Sequence, residues 1–147
     1  MTRRKRALVV DDNSLNREII EEILADEYEI LMAAGGVEAI TMAERHRPCV
    51  VLLDVMMPGL DGYDICRRLR AMPRMADARI VMVSAKAMPS ERARGFDAGA
   101  DAYVTKPFDD GDLVAAIRSG KTLDIRSGSY SVAASPSGSA VRIDSKA

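Results

Sequence analysis

The sequence predicts an α/β fold, a doubly wound parallel sheet of five strands with helices on both faces. Two observations lead there. Short apolar runs alternate with helical patterns from Ala7 to about Ser119, giving five strand–helix units in succession. The runs are also continuous rather than alternating, as in Val50–Leu53 (VVLL), which marks strands buried on both sides. Parallel strands need crossover connections, and the intervening helices supply them.

Ala7–Val10 reads as the first strand. A helix follows from Ser14 to Ala25, with Ser14 as N-cap, Arg17 and Glu18 in its first turn, and Leu15, Ile19, Ile20, Ile23 and Leu24 on one inward stripe. Tyr28–Ala34 is the second strand, and Gly36–His46 a helix with Val37, Ile40 and Ala43 inward. After the third strand, Val50–Leu53, a helix from Gly62 or Tyr63 to Met72 buries Ile65 and Leu69. Arg79–Ala85 is the fourth strand. Pro89 opens the next helix, where its missing N–H costs no bond, and the helix reaches Ala98 before Gly99 stops it. Ala102–Thr105 is the fifth strand, and Asp109 or Asp110 caps a last helix through Arg118. Residues 5–120 thus form one domain. Residues 121–147 turn to Ser, Gly and Ala and read as a flexible tail or linker. The alternative is a hairpin in which Ser135–Gly138 (SPSG) turns between Tyr130–Ala134 and Ala140–Ile143.

With 147 residues the chain has room for one domain and a tail, and 48% hydrophobic residues suffice for a core. A net charge of −1 argues against direct nucleic-acid or membrane-surface binding. Two cysteines, Cys49 and Cys66, make no disulfide framework and read as buried or half-buried thiols. No apolar run approaches the ~18 residues of a membrane span. The basic start, including Arg3–Arg6, precedes only four apolar residues, too few for a signal peptide, so a cytoplasmic location is expected. His46, between two arginines at a helix end, reads as solvated and not as a phosphodonor.

Ligands of open α/β sheets bind beyond the carboxyl ends of the strands. Four of those ends are polar: Asp11 and Asp12 after strand one, Asp54 after strand three, Ser84 at strand four, and Thr105 with Lys106 at strand five. Three carboxylates in one pocket repel by roughly 3 kcal/mol per pair at ~5 Å and an effective dielectric near 20, so such a cluster calls for cations. All-oxygen donors suit Mg²⁺, with Mn²⁺ as an alternative, and Lys106 adds a compact point charge. In that setting Asp54 is suited to attack phosphorus and carry an acyl phosphate. Taken singly, each residue has a structural alternative. Asp11 or Asp12 could cap a helix, Asp61 serves the Gly59–Gly62 turn, Lys106 could be a surface lysine and Tyr103 a packed aromatic.

Together, VVDDN, LLDVMMPGLDG, VSA and Lys106-Pro107 after GADAYVT resemble the receiver domain of bacterial two-component response regulators over residues 5 to about 120. The resemblance implies a flavodoxin-like (βα)5 sheet of order 2-1-3-4-5 and a signalling phosphoacceptor rather than an enzyme acting on substrate. It implies that Asp54 takes a phosphoryl group from a sensor histidine kinase or a histidine phosphotransfer protein. Asp12, Asp54 and the Met56 backbone carbonyl would ligate Mg²⁺, with Asp11 helping through water. Ser84 and Lys106 would bind phosphoryl oxygens, Tyr103 would be the switch aromatic, and the Lys106–Pro107 peptide would be cis. Met56 and Lys86 flank the mouth of the site, where apolar Met56 would position an attacking water poorly and prolong the phosphorylated state. Output is expected through the face of helix four, strand five and helix five (Arg92, Arg94, Asp97, Asp112 and Val114), toward a protein target or a second copy.

Other classes fit less well. Aspartyl-nucleophile phosphohydrolases of the haloacid dehalogenase type need D-x-D on the first strand, where this chain has adjacent acids; a nucleotide-binding domain would need a Gly-rich turn there. A degenerate receiver would have lost site residues that are all present here. No output-domain pattern follows residue 120, which leaves open a stand-alone receiver or one from a longer protein such as a hybrid kinase or cyclic-dinucleotide synthase.

Overall fold

Val50–Leu53 are buried on both faces, and the sheet is built outward from them. The computed structural model describes residues 5–57, 59, 61–86, 88–120, 122–126, 129–132 and 141–144. The elements run β1 (Lys5–Val10), α1 (Ser14–Leu24), β2 (Tyr28–Ala33), α2 (Gly36–His46), β3 (Val50–Asp54), α3 (Gly62–Ala71), β4 (Arg79–Ser84), α4 (Pro89–Asp97), β5 (Ala102–Thr105) and α5 (Asp110–Arg118). β6 (Leu123–Arg126), β7 (Ser129–Val132) and β8 (Val141–Asp144) follow. The first five strands are parallel in the expected order β2-β1-β3-β4-β5.

Alternate strand residues feed two cores, as the two-residue period of a strand requires. Leu8, Val10, Val51, Leu53, Ile80 and Met82 pack beneath α2, α3 and α4, whereas Val9, Leu52, Val81 and Val83 pack against α1 and α5.

Helix ends differ from expectation where side chains compete. Asn13, not Ser14, caps α1, its side chain accepting from the Leu15 and Asn16 amides, and neither Asp11 nor Asp12 is the cap. Leu15 and Ile19 are 61% and 44% exposed, and Val37 is 74% exposed; Ile20 and Leu24 anchor α1, and Ala39 and Ala43 anchor α2. Asp61 caps α3 through the Tyr63 amide, and Asp109 caps α5 reciprocally with Asp112.

The end of the sheet opposite the acids is held by Arg70. Its guanidinium donates to the carbonyls of Ala78 and Gly99 (both 2.8 Å) and to Asp101 Oδ2 (2.6 Å). One α3 side chain therefore joins the segment entering β4 to the one entering β5.

The expectation of a flexible tail gives way, over the described residues after 121, to strands. β6 lies parallel on β5, and β7 and β8 continue the sheet antiparallel, so β5 is not an edge strand. Leu123 and Ile125 are buried on the α5 side. The β7–β8 pairing matches the hairpin alternative, though its SPSG turn lies outside the described residues, as do Arg3 and Arg4. On the expected output face, Arg94 and Asp97 are exposed, but Arg92 and Asp112 are buried: Arg92 pairs with Asp124, and Asp112 completes the α5 cap.

Candidate functional site

β1 and β3 are neighbours with Val10 level with Leu53, which brings the residues after them together. Carboxylate oxygens of Asp11, Asp12 and Asp54 lie within 4.8 Å of one another. Asp11 and Asp54 are buried and Asp12 is exposed. The two buried acids are held alike: Asp11 Oδ1 accepts from the Asn13 amide and Asp54 Oδ1 from the Met56 amide, each at 2.9 Å. Their other oxygens face Lys106, whose Nζ lies 3.6 Å from Asp11 Oδ2 and 3.4 Å from Asp54 Oδ2. Burial lifts the Asp54 pKa above its ordinary value, opposed by the Met56 amide and Lys106 and reinforced by Asp11. An all-oxygen, acid-rich cluster with one exposed member fits a hard divalent cation.

The Lys106–Pro107 peptide is cis, and the Lys106 amide donates to the Ser84 carbonyl at 2.8 Å. Ser84 is fully buried, and its hydroxyl accepts from the Lys86 amide at 3.0 Å. The Lys86 carbonyl in turn accepts from the Tyr103 hydroxyl at 2.9 Å, so the Ser84 strand end and Tyr103 share one loop. Tyr103 is wholly buried, and burial pushes its phenol pKa up, with Ser84 as a hydrogen-bonding neighbour. Met56, 53% exposed, and Lys86 line an open cleft with Val55, Met57, Gly59 and Asp61.

The sequence reading missed Tyr63. It is buried on α3, and its hydroxyl donates to the Glu91 carbonyl of α4 at 3.2 Å. Arg94 of α4 stacks on its ring at 4.3 Å. Only its place directly after Gly62, at the start of a helix near the acids, hinted at this.

Gly62 is needed where it stands. A Cβ there would lie 2.7 Å from Val55 Cα and 3.0 Å from the Asp54 carbonyl oxygen, so α3 begins in direct contact with the backbone that carries the central acid.

Residues 7–118 match the family model of the response regulator receiver domain. The chain belongs to this family. The receiver is 41% identical over 115 residues to the response regulator PleD of Caulobacter vibrioides, covering 78% of this chain and 25% of PleD. It is 45% identical over 114 residues to MprA of Mycobacterium leprae, covering 77% of this chain and 49% of MprA. The chain thus spans about a quarter to a half of these relatives. Among solved structures, chemotaxis protein CheY4 of Vibrio cholerae superposes with a TM-score of 0.75 at 28% identity, covering 79% of this chain and 98% of CheY4. The receiver domain of sensor histidine kinase PA1611 from Pseudomonas aeruginosa, described with a magnesium ion coordinated in its active site cleft, gives 0.71 at 32% identity, covering 78% and 94%. Among the described residues of this receiver, no helix is long and apolar enough to cross a membrane.

Proposed function

We propose that this receiver is a signalling phosphoacceptor in which Asp54 takes a phosphoryl group from a phosphohistidine. The Nε–P or Nδ–P bond of the donor breaks as a bond forms from an Asp54 carboxylate oxygen to phosphorus, and the imidazole keeps the electron pair. The observation that carries this reading is that Asp54 Oδ1 is held by the Met56 amide while Oδ2 points to Lys106 at 3.4 Å. One oxygen is positioned by the backbone, and the other lies where a cation is ready to receive new negative charge.

Asp11, Asp12, Asp54 and the Met56 carbonyl would hold Mg²⁺, which supplies charge neutralisation between the carboxylates and the incoming phosphoryl oxygens. Lys106 would pair with one phosphoryl oxygen and the Ser84 hydroxyl would donate to another, leaving the Lys86 amide to follow it. Acting on itself in this way, the receiver assists its own phosphorylation without being an enzyme for another substrate.

The donor is a histidine kinase or histidine phosphotransfer protein. Exposed Ile19 supports this, since it lines, with Ile20, Ile23, Pro107 and Phe108, an apolar cavity of about 480 Å³ that also includes Lys106. An apolar donor helix seated there would present its histidine beside the acids. Output would pass to a protein target or a second copy through the exposed parts of α4 and α5, with no direct contact to nucleic acid or membrane.

Intact mass after incubation with Mg²⁺ and acetyl phosphate tests the reading. One added phosphoryl group on the native chain and none on Asp54→Asn is expected. A gain that survives Asp54→Asn would overturn the assignment.

A further inference from the structure

The α4–β5 edge, which a receiver of five strands leaves open, is occupied here by the chain's own β6. We infer that β6 is an intramolecular partner of the switch: its docking on β5 and phosphorylation of Asp54 favour one another. The inference rests on the phosphoacceptor reading above.

Three contacts carry it. Tyr103 is level with Asp124 in the parallel β5–β6 ladder, so the two side chains stand side by side on the α4 face. Asp124 Oδ2 accepts from Arg92 Nε of α4 at 2.9 Å, with the two side chains only 14% and 7% exposed. Gly95, one turn along α4, closes on the Tyr103 ring so tightly that a Cβ there would lie 2.9 Å from ring carbon Cδ2 and 2.8 Å from Met82 Sδ. Tyr103, α4 and β6 therefore share walls, and none can shift without disturbing the other two. On the opposite face of β6, Leu123 and Ile125 are buried, so its docking is a packed interface and not a surface contact.

The direction of the coupling follows from the loop between β4 and α4. The Ser84 hydroxyl and the Lys86 amide are bonded to each other, and the Lys86 carbonyl holds Tyr103 inward. A phosphoryl group on Asp54 adds oxygens within reach of this strand end and fixes the loop. A fixed loop keeps Tyr103 inward, beside Asp124, and so favours docked β6. By linkage, docked β6 must favour the phosphorylated site by the same factor. Arg92 and Asp124 are an ion pair of largely buried side chains that joins α4 to β6, which makes them the latch of this coupling.

The test is hydrogen exchange of residues 122–126 in the full chain, with and without beryllofluoride and Mg²⁺, beside the beryllofluoride affinity of Asp124→Asn and Arg92→Lys. Beryllofluoride should slow exchange in 122–126, and Asp124→Asn should bind it roughly fivefold more weakly. Thermal melts of both variants without ligand establish that they are folded. Unchanged exchange in 122–126 of a chain that binds beryllofluoride, or native affinity in both folded variants, would overturn the coupling and leave the phosphoacceptor reading standing. Failure of the native chain to take either beryllofluoride or phosphoryl would instead remove the reading on which the coupling rests.

Discussion

Tyr63 donates its hydroxyl to the Glu91 carbonyl oxygen 3.2 Å away and so pins the first turn of α3 to the first turn of α4. Tyr63→Phe keeps the ring and its stacking with Arg94 but deletes the bond. A loss of about 1 kcal/mol in denaturant unfolding is expected. Amides of residues 91–95 should also exchange faster. Unchanged exchange would mean that the stacked ring alone holds α4.

Gly62→Ala forces a methyl group against Val55 Cα. Backbone, not a flexible side-chain end, is what must yield, at a cost of roughly 1–3 kcal/mol. Because the same backbone carries Asp54, phosphoryl uptake from acetyl phosphate should fall along with stability. A variant that loses stability but keeps the native uptake rate would show that Asp54 is positioned independently of α3.

The stability of the metal-free chain should depend on pH through Asp54. Burial raises its folded pKa, so the folded chain holds that proton more tightly than the unfolded chain does. This contribution is fully present below the ordinary carboxylate pKa and is lost as pH rises through the raised folded value. Asp54→Asn never ionises there. In chelator at about pH 7 it should therefore melt at a higher temperature than the native chain, with the gain gone near pH 3. Parallel melting curves of the two proteins across that range decide the matter.

Met56 leaves an exposed thioether beside the central acid. A thioether orients water poorly, whereas an amide donates and accepts. Met56→Asn should therefore speed phosphoryl loss about tenfold by positioning the attacking water. An unchanged rate of loss by intact mass would dismiss Met56 as a determinant of lifetime.

Thiol labelling should separate the two cysteines. Cys49 is exposed, whereas Cys66 is buried and its thiol is pushed up to about 12 by burial. One equivalent of a thiol reagent should react with the folded chain at about pH 8, and a second only in denaturant. Two fast equivalents would show that α3 opens readily.

The central strands β1, β3 and β4 were legible because their residues after the first one or two are apolar on both faces, leaving no solvent side to confuse the pattern. The site was legible for a related reason: Asp11, Asp54, Ser84 and Lys106 interrupt such runs at one end of the sheet. Helix faces were less so. Periodicity marks Leu15 and Ile19 as apolar but does not say that Leu15 faces solvent and Ile19 borders a cleft beside Lys106. Arg92 and Asp112 read as surface charges because what buries them, the ion pair to Asp124 and the reciprocal cap with Asp109, is not visible in helical periodicity. For β6 the signal was present but short: Leu123, Asp124 and Ile125 alternate, yet three residues beside a Ser- and Gly-rich stretch carry little weight against composition.

Arg70 ties the carbonyls before β4 and β5 together at the pole of the sheet away from the acids. In the proposed switch, Ser84 stands at the other end of β4, and Tyr103 lies on β5 with Lys106 just beyond its other end. A force applied near Asp54 therefore meets two staves clamped at the same foot. They cannot slide past one another to absorb it, so the free ends must bear the displacement, and α4 is seated across them. In the proposed switch, what would make the motion useful is thus partly a side chain that never approaches the chemistry and keeps the far end still.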